Sequence, residues 1–399
     1  MQAAAGNSEA PISTPVPVAT STVMAGSRWI RERARGLWRA GVTGADWMFG
    51  LVSLITGLAV VSVIPVLNVL SLGYLVHASG RVAASGRLRD GLVGLPQAAV
   101  LGRLLLGSWL VIFPLRLVLG MWRDAELLAP GSAVARRWQV GLSIVAFATF
   151  GHVLWAIVRG GKLRHFLWPS PRRLVQWILD PKPMPSVGGG VKNFLSSLRL
   201  GFYFWLGLRA FAGGLVWLAV PVGLLVWAAQ LPAGRGGGIL SFLGGFALLC
   251  VAIYLPFLQT RFALENRFGS LFEVGAVRHW FRRAPIAFWL ALGVTLVFAL
   301  PLYLLKIELP PREIAWLPSL IFVVFMLPAR LLTGWAVGRA RRRELPRHGI
   351  FRWTGRLGLV PLGLLYAVFV YLTQYLTWNG SWSLLEQHAF LVPAPLMSL

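Results

Sequence analysis

The sequence predicts an all-α integral membrane protein, a polytopic bundle of seven transmembrane helices preceded by a broken helix or helical hairpin. Of its 399 residues, 57% are hydrophobic and only 13% are charged, whereas soluble domains carry about 25% charged residues. The charge-poor residues fall in eight long stretches, and about 18 or more such residues cross the hydrocarbon core as one helix. Nearly all of the 38 basic residues lie between these stretches, as expected of loops that set membrane topology.

The N-terminal segments precede the first apolar stretch. Residues 1–26 are rich in Ala, Ser, Thr and Pro and lack periodicity. They predict a disordered tail, and they do not resemble a signal peptide. Residues 27–46 place apolar side chains near one face of a helix and arginines on the other, which is typical of an amphipathic helix in the membrane interface. A basic segment that only fixes orientation is equally consistent with this pattern.

The first apolar stretch, residues 47–80, contains no Asp, Glu, Lys or Arg. It is too long for one upright span and barely long enough for two. Pro65 and Asn68 lie near its middle, and proline removes a helix donor and clashes with the preceding turn. The stretch therefore predicts a broken helix or a short helical hairpin, and the two alternatives stay open.

Seven further spans complete a transmembrane domain over residues 47–378. They are predicted at 104–122, 139–158, 210–230, 236–260, 284–305, 314–338 and 357–378. The connection 159–209 forms a cytoplasmic loop, and residues 379–399 form a short external tail.

The distribution of basic residues predicts the orientation. If residues 47–80 enter and leave the membrane on the same face, every connection rich in Lys and Arg falls on one side. These connections are the N-terminal segment, 79–103, 159–209, 261–283 and 330–356. Because basic loops stay in the cytoplasm, we expect a cytoplasmic N-terminus. The preference for Arg over Lys suggests a GC-rich bacterial genome, and hence a bacterial cytoplasmic (inner) membrane.

One local pattern occurs twice, each time late in an apolar stretch. Pro114 and Arg116 recur as Pro328 and Arg330, with Leu and Gly following at the same spacing. An arginine at mid-membrane costs about 2.5–3.5 kcal/mol on insertion scales. The pair therefore indicates an anion or lipid-headgroup site, with snorkelling to the interface as the alternative. The two copies would run antiparallel, as in transporters built from inverted repeats.

A second polar cluster closes the span that ends near residue 260. It contains Arg261, Glu265, Asn266 and Arg267. Glu265 is placed to pair with Arg261 one helical turn earlier. The cluster predicts either a salt-bridged helix end, or a gate or partner contact.

Short motifs between residues 64 and 91 resemble those of a known family. The segments are Ile64–Asn68, Leu72–Leu75, Gly80-Arg81 and Gly86–Gly91. They resemble the repeat unit of an uncharacterised family of bacterial multi-span membrane proteins that bear a domain of unknown function. In that family too, an apolar segment ends in a Gly-Tyr pair, followed by a basic connection and a further span. The resemblance covers about 60–125 and, more faintly, 250–305, and it implies no activity.

No catalytic signature occurs in the sequence. It contains no H-E-x-x-H, P-loop or G-x-S-x-G motif, and its six histidines lack ligand spacing. The single cysteine excludes an internal disulfide and a multi-cysteine metal site. We therefore predict no catalytic residue, metal or cofactor, and a non-enzymatic protein that organises partners or lipid. The alternative is a transporter or channel for a small, possibly anionic, solute or lipid headgroup.

The net charge of +25 bears on the partners. In a soluble protein it would suggest nucleic acid, but no soluble domain remains to bind one. We expect attraction to anionic phospholipid headgroups instead. Protein partners are left open.

Overall fold

The computed structural model describes residues 20–179, 187–232, 236–307, 316–375, 380–386 and 391, and every regular element in these ranges is helical. The chain divides into two units, residues 1–48 and 49–399. Helix α1, Thr20–Val63, contributes to both. It begins inside the predicted disordered tail, whose residues 1–19 lie outside the described ranges.

Helix α1 also runs through residues 27–46 without a break, so this segment is not a separate element. The physical reason is that no proline occurs between Pro17 and Pro65. Its location in the membrane interface stays a prediction.

The remaining helices follow in chain order. They are α2 (Asn68–Ser85), α3 (Leu95–Leu128), α4 (Ala133–Val158), α5 (Leu163–Leu167), α6 (Pro171–Leu179), α7 (Val187–Ser197), α8 (Leu200–Gln230), α9 (Gly237–Glu265), α10 (Val274–Arg283), α11 (Pro285–Ile307), α12 (Trp316–Arg341), α13 (Gly349–Thr373) and α14 (Ser383–Glu386). Short 3₁₀ helices lie at Leu88–Gly91, Phe268–Phe272 and Gly380–Trp382.

Seven of these helices are long and apolar enough to cross a membrane: α1 from Trp38 onward, α3, α4, α8, α9, α12 and α13. Helices α10 and α11 meet at a bend of 112° and pass the same test as a pair, so the number is eight if this pair forms one span. The all-α, multi-pass membrane fold is thereby confirmed. The predicted loop 159–209 is shorter than expected, because α8 begins at Leu200 and α5 to α7 occupy most of the rest.

The predicted break near Pro65 is present between α1 and α2. Across it, the Ser71 hydroxyl donates a hydrogen bond to the carbonyl oxygen of Leu58 at 3.0 Å. In a straight helix, residues this far apart in sequence would be separated by about 20 Å. The chain therefore turns back on itself, as a helical hairpin requires. Val66 takes a φ of 70° in the turn, which is unfavourable for a β-branched residue.

Helix α2 forms the centre of the bundle, with α8, α9 and α12 packed around it. Small residues allow backbones to touch. A Cβ atom added at Gly73 would lie 1.8 Å from the carbonyl oxygen of Tyr203 on α8, and one added at Gly334 would lie 2.2 Å from that of Ser79. Such close contact is the usual role of small residues between membrane helices. Helices α11 and α13 lie outside this centre, and α3 packs mainly with α4 and α5.

Part of the described C-terminal segment is buried, and its external location stays a prediction. Ser383, Leu384 and Leu391 are buried. The Gln259 side-chain amide donates a hydrogen bond to the carbonyl oxygen of Leu391 at 2.9 Å. The apolar side chains gain more by burial in the bundle than by exposure to water, so these residues fold back into it.

Candidate functional site: the basic end of the bundle

The arginine-rich helix ends lie together at one end of the bundle, called here the basic end. It comprises the C-terminal ends of α2, α9 and α12 and the N-terminal ends of α8, α11 and α13. Hydrogen bonds join the segments. The Arg342 side chain donates to the carbonyl oxygen of Ser85 at 3.0 Å, and the backbone N–H of Arg347 donates to the carbonyl oxygen of Arg282 at 2.9 Å. Residues from distant parts of the sequence thus form one surface.

The cluster predicted around Arg261 lies at the basic end and is internally neutralised. The expected pair is present: Arg261 lies 3.0 Å from a carboxylate oxygen of Glu265. Arg267 lies 3.0 Å from the other oxygen of Glu265 and 2.9 Å from Glu273, which also pairs with Arg261. Two carboxylates therefore hold two guanidinium groups, and Trp280 covers Arg261 at 5.2 Å.

The fourth residue of that cluster, Asn266, ends helix α9. It adopts a left-handed conformation with a φ of 52°, which asparagine tolerates better than most residues. Arg209 donates to its side-chain oxygen at 2.6 Å. Each predicted polar residue thus has a partner within the protein, as a salt-bridged helix end requires, and a role as a gate or partner contact stays a prediction. Sequence reasoning missed Glu273, because nothing local shows that the 3₁₀ helix folds it back.

The two Pro-x-Arg patterns do not form a common site. Arg330 is only 4% exposed, and its guanidinium donates to the side-chain oxygen of Gln259 at 2.6 Å. Arg116 is exposed on α3. Pro114 and Pro328 lie inside continuous helices, so neither proline interrupts its span. Prolines are tolerated in membrane helices because neighbouring groups satisfy the freed backbone.

A pocket that sequence reasoning did not find lies where α10 bends into α11, and we call it the elbow pocket. Its volume is about 170 Å³. The bend supplies an apolar floor, and the end of α12 and the following connection supply three arginines. The lining residues are Ala284, Pro285, Ile286, Ala287, Leu290, Trp335, Arg339, Arg343 and Arg347.

Hydrogen bonds and ring contacts hold these arginines at the elbow. Arg343 donates to the carbonyl oxygen of Arg283 at 3.4 Å. Arg339 lies over the Trp335 ring at 5.4 Å, a favourable cation–π distance. The spacing of four residues between the arginines is visible in the sequence, but the wall they face comes from far earlier in the chain.

The electrostatics of the elbow pocket favour an anion. Burial, and then the positive charges of Arg347 and Arg339, lower the pKa of Arg343 below its usual value. Arginine nevertheless stays protonated near neutral pH. In the described part of the chain, no carboxylate lies within 4.0 Å of these three arginines. Their mutual repulsion therefore favours the binding of an anion.

Among the described residues, no group of three or more His, Cys, Asp or Glu side chains is placed to hold a metal ion. Comparison of the chain with protein-family models, with curated proteins and with solved structures finds no match. The resemblance to an uncharacterised family stays a prediction. Function is inferred below from the geometry of the basic end.

Proposed function

We propose that this chain is a non-enzymatic membrane protein that binds anionic phospholipid at its basic end and thereby organises the lipid around it. The elbow pocket is the observation that supports this function. A guanidinium group binds a phosphate through two parallel hydrogen bonds, and three such groups line one side. Ile286 and Leu290 line the other side, where they suit the first carbons of an acyl chain.

The membrane and the orientation belong to the same proposal. Basic segments stay on the cytoplasmic side of bacterial membranes, so the basic end faces the cytoplasm of a bacterial cell and the N-terminus lies there too. The surface potential of anionic lipids attracts basic residues at that surface, at about 1 kcal/mol for each Lys or Arg. Each arginine of the elbow pocket should therefore contribute about fivefold to the affinity for an anionic lipid.

The test is lipid binding by the full-length protein in a neutral detergent. Short-chain phosphatidylglycerol is titrated against the protein, and phosphatidylcholine of the same chain length serves as the reference lipid. We expect phosphatidylglycerol to bind more tightly, and Arg343→Gln to weaken its binding about fivefold.

Arg341→Gln is the matched control, because Arg341 is exposed at the end of the same helix and does not line the pocket. Equal binding of the two lipids by the wild-type protein would overturn the proposal. So would an equal loss of phosphatidylglycerol binding in the two variants, provided that both keep the wild-type unfolding temperature.

The transport alternative depended on Arg116 and Arg330 at one polar site. The exposure of Arg116 and the hydrogen bond between Arg330 and Gln259 remove that support. Arg330 instead links α12 to α9 within the bundle. Binding and organisation of lipid is therefore the function that we propose.

A further inference from the structure

Two segments of the chain share a sequence pattern, Tyr-Leu-x5-Arg-x-Ala-x3-Arg. The first copy ends α2 and the second ends α9. The matching residues are Tyr74, Leu75, Arg81, Ala83 and Arg87 in the first copy and Tyr254, Leu255, Arg261, Ala263 and Arg267 in the second.

The backbone of the two copies is also the same beyond the helix end. The capping residues Gly86 and Asn266 are both left-handed, with φ of 76° and 52°. Arg87 and Arg267 follow with φ, ψ of −110°, 126° and −108°, 125°. Each arginine then leads into a 3₁₀ helix. The side chains of Arg87 and Arg267 therefore leave the backbone in equivalent positions.

The two copies meet next to their first arginines. Ser79 and Thr260 share a hydrogen bond of 3.2 Å between their hydroxyl groups. A Cβ atom added at Gly80 would lie 2.7 Å from that of Ala263. Arg81 lies one residue beyond this contact, so both copies present their arginine pair at the basic end.

The copies differ in the groups that neutralise the arginines. In the second copy, Glu265 and Glu273 pair with Arg261 and Arg267. The corresponding residues of the first copy are Ser85 and Val93, which carry no charge.

No carboxylate within the described ranges lies within 4.0 Å of Arg81 or Arg87, and both side chains are exposed. Two more cations lie close to this arginine pair. The charges of Arg199 and Arg81 both act on His77, and Arg342 donates a hydrogen bond to the carbonyl oxygen of Ser85. Asp90, in the 3₁₀ helix between Leu88 and Gly91, forms no ion pair with any residue that the structure describes. The arginine pair of the first copy thus carries a positive charge that is not neutralised by nearby carboxylates, whereas two glutamates neutralise the arginine pair of the second copy.

We propose that Arg81 and Arg87 bind an external anion in the place that the glutamates take in the second copy, and that this anion is the phosphate of an anionic phospholipid. A phosphodiester presents two oxygens to a guanidinium group much as a carboxylate does. The contact with Ala263 puts the site at the end of the α9 span, where headgroups are the most concentrated anions. This site is separate from the elbow pocket, and it rests on the proposed function because it is a second phospholipid site at the basic end.

The test exchanges the glutamates between the two copies. All variants also carry Arg343→Gln, which weakens lipid binding at the elbow pocket, so that binding at Arg81 and Arg87 is measured separately. Ser85→Glu with Val93→Glu should neutralise Arg81 and Arg87. We expect the affinity for vesicles that contain phosphatidylglycerol to fall at least fivefold. The matched control, Leu345→Glu with Thr354→Glu, adds the same charge at exposed positions of the basic end and should weaken binding less.

The reverse exchange, Glu265→Ser with Glu273→Val, should remove the ion pairs of Arg261 and Arg267. We expect one additional bound phosphatidylglycerol per protein, counted by native mass spectrometry. If the first exchange prevents folding, Arg87→Gln replaces it, because the exposed guanidinium of Arg87 makes no hydrogen bond to the described part of the chain. We expect that variant to lose about fivefold in affinity. Unchanged affinity in a folded first-copy variant would overturn the proposal.

Soluble anions separate the possible sources of the ligand. Inorganic phosphate and an aspartate-rich peptide are titrated against the same protein in neutral detergent, alongside short-chain phosphatidylglycerol. We expect phosphatidylglycerol to bind most tightly. If either soluble anion binds the Arg81 and Arg87 site more tightly than the lipid, the assignment to phospholipid is wrong.

Discussion

The contact between α2 and α8 at Gly73 gives a sharp test of the central packing. A Cβ atom at this position would lie 1.8 Å from the carbonyl oxygen of Tyr203 and 2.8 Å from the backbone nitrogen of Gly207. Both atoms belong to backbone, so no side chain can move aside. The helices must separate by at least about 1.6 Å to restore an ordinary van der Waals distance.

The cost of Gly73→Ala follows from that displacement. Overpacking of a well-packed core costs about 1–3 kcal/mol. The upper part of this range applies, because α2 is held on its other sides by α9 and α12. We expect the free energy of unfolding to fall by about 3 kcal/mol in a denaturant titration of the detergent-solubilised protein.

Gly223→Ala on α8 is the control, because a Cβ atom there would meet nothing within 4 Å. Alanine is the better helix former by about 1 kcal/mol, so this variant should be no less stable than the wild-type protein. If Gly73→Ala and Gly223→Ala unfold at the same denaturant concentration, the close approach of α2 and α8 is wrong.

Three further predictions concern the polar contacts. Gln259→Leu should lower the free energy of unfolding by about 2–3 kcal/mol, because it removes the hydrogen bond that the buried Arg330 guanidinium donates to Gln259 on α9; an unchanged denaturation midpoint would contradict this. Arg267→Gln should cost less than about 1 kcal/mol, since the Arg267 side chain is 66% exposed in both of its ion pairs, and its effect should shrink in high salt; a loss that persists in 1 M salt would point to a buried pair instead. Arg347→Gln should weaken phosphatidylglycerol binding about as much as Arg343→Gln, because both line the elbow pocket; wild-type affinity in a lipid titration would remove Arg347 from the site.

The membrane fold could be predicted from the sequence because lipid imposes simple rules. Charge-free stretches of sufficient length become helices, and all seven later spans match helices of the structure. Pro65 correctly marked the break between α1 and α2. Pro114 and Pro328, by contrast, lie inside continuous helices, because a helix with packed neighbours tolerates one missing hydrogen bond. Proline alone therefore does not tell a hairpin turn from a continuous span.

The candidate sites were harder to predict, since they depend on contacts between distant residues. The pair between Arg261 and Glu265 follows from helical spacing and was predicted. Glu273 joins it only through the fold of the intervening 3₁₀ helix. The elbow pocket needs the 112° bend between α10 and α11, which sequence periodicity does not show.

The most direct test of the account is the accessibility of single cysteines in intact cells, with Cys250→Ala as the background. Leu88→Cys and Leu345→Cys lie exposed at the basic end, and Leu128→Cys lies exposed at the far end of α3. An impermeant thiol reagent added outside should label Leu128→Cys alone, and the other two should react only after the cells are opened. External labelling of Leu88→Cys or Leu345→Cys would contradict a single basic end that faces the cytoplasm.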